Sequence, residues 1–593
     1  MTMYPTVAAP YTARHVTDVF KGYDHNLRIG EGSFYHMENL SGDCYPLLAN
    51  RRPRGHVATL SRPNGLIGKA KLAYVDGTRL FYGGEELTGY LNQAGFSLMD
   101  CPKQLVSMGA YLVIYPDKLY LNTEDYTDCG SLEAYFSTAQ GSPVTYTICT
   151  DQGEDYGTPT VGGSAPAEPE NGALWIDTSA VPHSLMQYSE TGGLWTAVPA
   201  VYVKIAAEGI GRQFGVYDGV TVEGAQGDTS VLNEQLQGLC GSKIIYARGD
   251  DYIVVSGILD VTWVQREGSV SVSRRMPDVD FLTEAGNRLW GCKYGLADGE
   301  TVNAIYCCGL GDFKNWNRFL GVATDSYAAS VGTDGPWTGA VTHLGNPIFF
   351  KENCMHKVYV SPSGAHSIVE TACRGVESGS HRSLAVVGET LLYRSPVGIM
   401  AYDGSLPVCV SGALGDEVYK EAVGGALGDK YYVSMCDGAG QGQLFVYDIR
   451  RGFWHREDNT RGMYFARCGR ELYYLDADGR LMCVGGSEGV LEDEISWRAD
   501  TGVMGYTTVE QKYVSRFLLR MRLSEGGQLD AYIRYDSMGD WHHCGHAQGG
   551  GLGTFLLPVR PRRCDHFEIR LEGRGDVRIY SFARVFEKGS DEL

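Results

Sequence analysis

The chain has no long apolar run: nothing in it approaches the roughly twenty residues of a membrane-spanning helix, so membrane insertion is not expected. Its 16 cysteines include no Cys-x-x-Cys pair and, apart from Cys307-Cys308, stand singly. That excludes a zinc ribbon and a compact disulfide framework. Most, such as Cys436, Cys468 and Cys483, lie in apolar segments and read as small hydrophobes kept reduced in a cytosol. The first residues, Met-Thr-Met-Tyr-Pro, lack the basic and apolar regions of a signal peptide, so none is expected. A Gly-Lys-Ser/Thr phosphate loop is missing, and no spacing singles out the carboxylate pair of a glycosidase. The expectation is a protein that is not an enzyme, with no cofactor and no metal.

Positive charge is also short. Lys and Arg number 51 against 71 Asp and Glu, a net charge of −20. Such a surface repels nucleic acid and anionic membranes. DNA that meets this protein is expected as passing cargo along a wall that does not grip it. Long helical periodicities are missing as well, which leaves strands and turns to build the fold.

Glycine and tyrosine are abundant, at 78 and 38 residues. The glycines have no three-residue period, so a collagen-like fold fails. They mark hairpins instead. Gly388-Glu-Thr-Leu-Leu-Tyr393, Gly428-Asp-Lys-Tyr-Tyr-Val433 and Gly469-Arg-Glu-Leu-Tyr-Tyr474 recur about every forty residues, each followed by a second strand. Similar units begin at Gly77, Gly109, Gly286 and Gly345. Glycine reaches the positive φ of a tight turn without steric cost, and the aromatic and β-branched residues after it suit half-buried strands. A period of this length, built of short strands, predicts an all-β fold with a β-propeller of about six to seven blades.

The divisions expected from these signals begin with an N-terminal arm (1–62) and the first part of the propeller (63–142). An inserted β module (143–265) follows, carrying the Pro- and Gly-rich linker 157–172. The remainder of the propeller spans 266–494. Beyond 495 the strands alternate apolar and polar residues, as in Gln528-Leu-Asp-Ala-Tyr-Ile-Arg534, which predicts a C-terminal β-sandwich of jelly-roll type (495–593).

Four groups of residues invite chemistry. Arg51, Arg52 and Arg54 form a basic cluster in an acidic chain, either an arm docking on an acidic partner or a solvated loop. Trp175, Tyr188 and Trp195 in the insert form either a glycan-stacking platform or a small core. Three segments end in Gly-x-Trp after a tyrosine: Gly193 with Trp195, Gly452 with Trp454, and Gly539 with Trp541. They resemble propeller turn motifs whose tryptophan packs back across a strand pair. His542, His543, Cys544 and His546, with Cys564 and His566, form either a metal site, with His542 and Cys544 on one side of a strand, or ordinary strand and turn residues; the spacing fits no zinc template and favours the latter.

The segment Asn303-Ala-Ile-Tyr-Cys-Cys-Gly-Leu-Gly-Asp-Phe-Lys-Asn-Trp316 contains Gly311, Asp312 and Trp316 between two repeat units. It resembles the tail hub and nozzle proteins of short-tailed bacteriophages, a group that includes the packaged-DNA stabilisation (tail accessory) proteins. The insert phrase Gly172-Ala-Leu-Trp-Ile-Asp-Thr178 and the closing segment 561–571 are similar to parts of other virion proteins. The resemblance implies a bacteriophage virion structural protein, made in the bacterial host cytoplasm and built into the tail. It would form a ring, commonly a hexamer, that extends the DNA conduit, meets portal and adaptor proteins, and offers docking surfaces for fibres or spikes. It brings no catalytic residues. The rival expectations are a glycan- or receptor-binding propeller and a propeller glycosidase.

Overall fold

The computed structural model describes residues 12–588 except 298, 362–363, 506–510 and 561. The fold is all-β. Its α-helices among the described residues are two short ones, Thr88–Gln93 and Ser230–Gln237. No helix among the described residues is long and apolar enough to cross a membrane.

Seven antiparallel units of four strands form the largest part. They start at the strands Pro63–Gly68, Gln104–Met108, Phe281–Glu284, Gly339–His343, Ala385–Val387, Lys420–Leu427 and Gly462–Cys468. In six of them the repeat glycine sits in the first hairpin: Gly109, Gly286, Gly345, Gly388, Gly428 and Gly469 take φ from +55° to +75°. Gly77, at φ +63°, lies instead in the second hairpin of its unit, because the strand Pro63–Gly68 precedes the one it follows.

Each junction between consecutive units is filled by large apolar side chains. Leu80 meets Ile114, Tyr115 meets Leu289, Trp290 meets Phe349, and Phe350 meets Tyr393 within common clusters. Leu392 and Tyr431 join the fifth unit to the sixth, and Tyr432 and Tyr474 the sixth to the seventh. Leu66 and Tyr464 then share a cluster between the first unit and the seventh, where Gly462–Cys468 lies beside Pro63–Gly68. At this seam a Cβ on Gly68 would stand 1.8 Å from the Arg467 carbonyl oxygen, so only glycine allows the two backbones so close.

The seventh unit takes its fourth strand from far away in sequence. Gly55–Thr59 pairs antiparallel with Arg480–Cys483. From residue 12 on, the stretch expected as an N-terminal arm is therefore woven into the fold; residues 1–11 of it lie outside the described residues. Thr12–Thr17 pairs with Val577–Lys588, Ser33–Glu38 with Ser496–Thr501, and Leu48–Asn50 also with Val577–Lys588. These pairings satisfy strand edges that would otherwise stand open.

After the seventh unit the chain builds two sheets facing across one apolar core. Phe517, Leu519, Met521 and Ile579 of one meet Leu529, Ile533, Ile569 and Leu571 of the other. The second of these sheets does not end at the core. It continues through Ser33–Glu38 and Gly22–Tyr23 into Phe453–Arg456, making ten hydrogen-bonded strands that run from the sixth unit into the C-terminal layer.

The insert is wider than expected, because Ala134–Ser137 and Ser271–Arg274 pair with each other and belong to it. Its main body packs two sheets and the helix Ser230–Gln237 around Tyr146, Ile205, Val220 and Leu236. A smaller four-stranded sheet, Thr160–Gly162 to Leu194–Ala197, is set within it.

Gly68→Val should weaken the seam by about 2–3 kcal/mol through overpacking, read as a lowered denaturant midpoint. Gly89→Ala is the control: its Cβ meets nothing within 4 Å, and this helical position should gain up to about 1 kcal/mol. Equal effects from the two changes would remove the steric account of the seam.

Candidate functional site

Three hairpin ends of the sixth and seventh units lie at the same end of their strands: Gly428-Asp429-Lys430, Arg450-Arg451 and Gly469-Arg470. Together with the segment 51–54 they enclose a cleft of about 540 Å³. Eight cationic side chains line it, against the four acids Asp43, Asp429, Asp448 and Glu457. In a chain of net charge −20 this is a local reversal of sign.

The cations divide by depth. Arg51 and Arg54 form the floor, at 6% and 2% exposure. Arg51 Nη1 donates to Glu492 Oε2 at 2.6 Å. Arg54 Nη2 donates to Glu457 Oε2 at 2.5 Å, and its Nη1 to Asp458 Oδ2 at 2.8 Å and the Tyr474 hydroxyl at 3.0 Å. Burial alone would raise the carboxyls of Asp458 and Glu492, but the guanidinium groups beside them hold both below their ordinary values. The expected docking arm is thus corrected: Arg51 and Arg54 are buried structural ties, and only Arg52 of the three is exposed.

Higher in the cleft, Lys430 pairs with Asp43, Arg451 with Asp448 at 3.0 Å, and Arg450 with Asp429 at 3.7 Å. The Asp43 carboxyl, which burial would raise, is held low by the Lys430 ammonium. Arg52, Arg467 and Arg470 are exposed at the mouth with no ion-pair partner among the described residues. A neighbouring cleft of about 440 Å³ shares Asp43, Arg51 and Arg52 and adds Arg522 and Arg578. Those two stand directly opposite each other on adjacent strands, a like-charge pair that an anion would relieve. Chemically the surface is suited to carboxylate, phosphate or sulfate groups, which guanidinium forks recognise in pairs. Sequence reading named Arg51, Arg52 and Arg54 but missed the rest. The available signal was the basic residue following three neighbouring turns of the repeat.

In the insert, the aromatic candidates do come together. Tyr188 and Trp195 face each other in register at 5.4 Å between ring centres, and Trp175 meets Trp195 at 5.5 Å. Trp175 is buried and donates its indole N–H to the Gly162 carbonyl at 2.8 Å, while Tyr188 and Trp195 are half-buried.

The turn motifs differ among themselves. Gly452, at φ +73°, closes a turn that lays Trp454 against Tyr447 at 4.8 Å, with the indole N–H donating to the Val410 carbonyl at 2.8 Å. Gly539 departs from that pattern. The turn there is made by Asp536 and Ser537, both at positive φ, and Trp541 lies on the sheet face between Arg534 and Arg570 at 4.8 and 4.1 Å. Gly311, at φ +70°, and Asp312 shape a loop whose Trp316 is buried and donates to the Phe313 carbonyl at 2.9 Å. Within that loop, Asn315 donates to Asp312 at 2.5 Å and to Asp218 of the insert at 3.0 Å, and Asp218 is in turn paired with Arg274. The loop is where the insert is fastened.

Near the C-terminus, His543 and His546 both contact Asp530 Oδ1, at 2.9 and 3.0 Å, while Cys544 and Cys564 are buried in the apolar core. Burial pushes their thiols up to about 12 and about 11.

No family model matches the chain, and no curated protein matches it. Among solved structures, an exo-β-1,3-galactanase from Phanerochaete chrysosporium is similar at 11% identity and a TM-score of 0.21, over 50% of this chain and 95% of that one. PorZ, a surface component of the type-IX secretion system of Porphyromonas gingivalis, is similar at 11% identity and a TM-score of 0.25, over 85% and 71%. The extracellular domain of BT4673 from B. thetaiotaomicron reaches 0.17 at 9% identity, over 92% and 98%. Similarity this low leaves function to the chain's own geometry.

Arg54→Ala should cost about 3 kcal/mol, because it takes the nearer guanidinium from the buried carboxylate of Glu457 and the half-buried one of Asp458, leaving only the more distant Arg51. Asp458 and Glu492 have depressed pKa values, so their contribution is full above the ordinary values of 3.8 and 4.5 and is lost as pH falls through the lower native ones. The gap between wild type and Arg54→Ala should therefore narrow in acid. Urea unfolding at neutral pH and near pH 3 tests this, and a gap that widens in acid would refute it.

Proposed function

We propose that this chain is a structural protein of a bacteriophage tail, of the nozzle or hub type, whose seven four-stranded units are the blades of one closed β-propeller. In this reading the C-terminal layers are a sandwich fixed to the propeller, the insert is an outward-facing module, and several copies assemble as a ring around the DNA path. The cyclic order of the blade junctions and the borrowed fourth strand of the seventh unit support closure. The ten-strand sheet supports a body without an internal hinge, as a load-bearing conduit needs.

The observation that carries the assembly is the cationic cleft on an acidic chain. A head-to-tail ring requires two different, complementary patches on each copy. The mouth residues Arg52, Arg467 and Arg470 supply one, and the acidic remainder of the surface supplies the other. DNA sliding past a net-negative lumen would not condense on it.

Native mass spectrometry and electron microscopy of the purified protein should show a closed oligomer. The double variant Arg467→Glu/Arg470→Glu should shift it toward monomer while its melting temperature stays near that of wild type. A wild-type protein that is monomeric at all concentrations, or a ring indifferent to the double variant, counts against the proposal. Imaging of intact particles would then place the protein in the tail or elsewhere.

A second reading, glycan or receptor recognition by the insert, draws on the half-exposed pair Tyr188 and Trp195 beside Trp175. If it is right, Trp195→Ala abolishes binding on a glycan array and leaves the oligomer intact.

A further inference from the structure

Cys354 and His356 alternate on the strand Cys354–Val360, so both side chains leave the same face. On the adjacent edge strand, His366–Ala372, Glu370 stands directly opposite His356. One ligand atom from each of the three lies within 4.8 Å of the other two. Cys354 and His356 are 4% and 1% exposed, while Glu370 opens to solvent.

The surroundings hold the imidazole in place. Its Nε2 is 3.5 Å from Glu370 Oε2 and 3.4 Å from Thr333 Oγ1, and Thr333 also hydrogen-bonds Glu370. The ring meets Trp337 edge to face at 5.1 Å. Nδ1 is buried and has no hydrogen-bond partner among the described residues, a costly state for a polar nitrogen. Lys351, opposite Cys354 in register, donates to three neutral oxygens: Asn303 Oδ1 at 3.1 Å and the carbonyls of Thr333 and Gly335 at 2.7 and 2.5 Å. Its charge still opposes a cation, against which a Cys354 thiolate and the Glu370 carboxylate supply two negative charges.

We propose that Cys354, His356 and Glu370 form a binding site for a zinc-class divalent transition metal, stapling the outer edge of the fourth unit. A thiolate, an imidazole and a carboxylate together match zinc or cobalt, whereas magnesium and calcium take oxygen ligands. Three protein ligands leave one tetrahedral position open on the Glu370 side, next to the Thr333 hydroxyl. The same trio does not suit a cysteine hydrolase, because a thiol 4% exposed is sealed from any substrate. The site lies where the third and fourth units share the cluster of Trp290, Trp337 and Phe349, so a bound ion would brace that junction. This inference is independent of the phage reading.

The test uses the full chain, stripped with chelator and titrated with Co²⁺ and then Zn²⁺. The expected result is one cobalt per chain with an intense thiolate-to-cobalt absorption, displaced by zinc, and a melting temperature raised by zinc. Cys354→Ser should lose the absorption. Glu370→Gln, at a solvent-facing position that leaves the fold intact, should keep it while weakening affinity about 10–100-fold, by analogy with losses measured around metal sites. No thiolate band in wild type, a band that survives Cys354→Ser, or an affinity unchanged in Glu370→Gln would each overturn the site, even if Cys354→Ser fails to fold.

Discussion

Two arginines that scarcely touch solvent hold together three distant parts of the chain. Arg51 and Arg54 belong to the N-terminal segment, Glu457 and Asp458 follow the last strand of the sixth unit, and Glu492 lies on the path from the seventh unit to the C-terminal layers. Removing one partner from such a set leaves an uncompensated charge at low exposure, which is strongly destabilising. Its formation places Gly55–Thr59 beside Arg480–Cys483 and so supplies the missing strand of the seventh unit. On either side of that strand the chain enters the C-terminal sheets, through Ser33–Glu38 and Leu48–Asn50, and the first unit, at Pro63–Gly68.

The same arrangement generates the cleft. Because the deep arginines are consumed by buried and half-buried carboxylates, the charge available to a partner comes from the exposed residues above them, Arg52, Arg467 and Arg470. A basic motif in sequence and a basic surface in space are therefore different objects here. One stabilises the fold, and the other meets what lies outside it.

The insert shows how a large addition is tolerated. It leaves the second unit after Cys129–Ser131, closes on itself through Ala134–Ser137 and Ser271–Arg274, and carries its own core. A small polar joint ties it to the loop of Gly311 and Trp316: Asn315 donates to Asp218 and accepts from the Gly219 backbone N–H, and Asn317 donates to Ser242. Self-contained packing explains why the repeat resumes on the far side with its geometry undisturbed.

Local signals sufficed for much of this. The turn glycines at Gly109, Gly286, Gly345, Gly388, Gly428 and Gly469 were legible because positive φ is a property of one residue and its neighbours, and alternation in Gln528–Tyr535 disclosed a one-faced strand for the same reason. The apparent arm, the true extent of the insert, the fate of Arg51 and Arg54, and the meeting of Cys354 and His356 with Glu370 were not legible. Each depends on strand register or on partners hundreds of residues apart, and a sequence does not state which edge a strand will complete. Pattern determined which pieces the chain would make; the pairing of edges in three dimensions decided which charges were buried, which were left outside, and what they face.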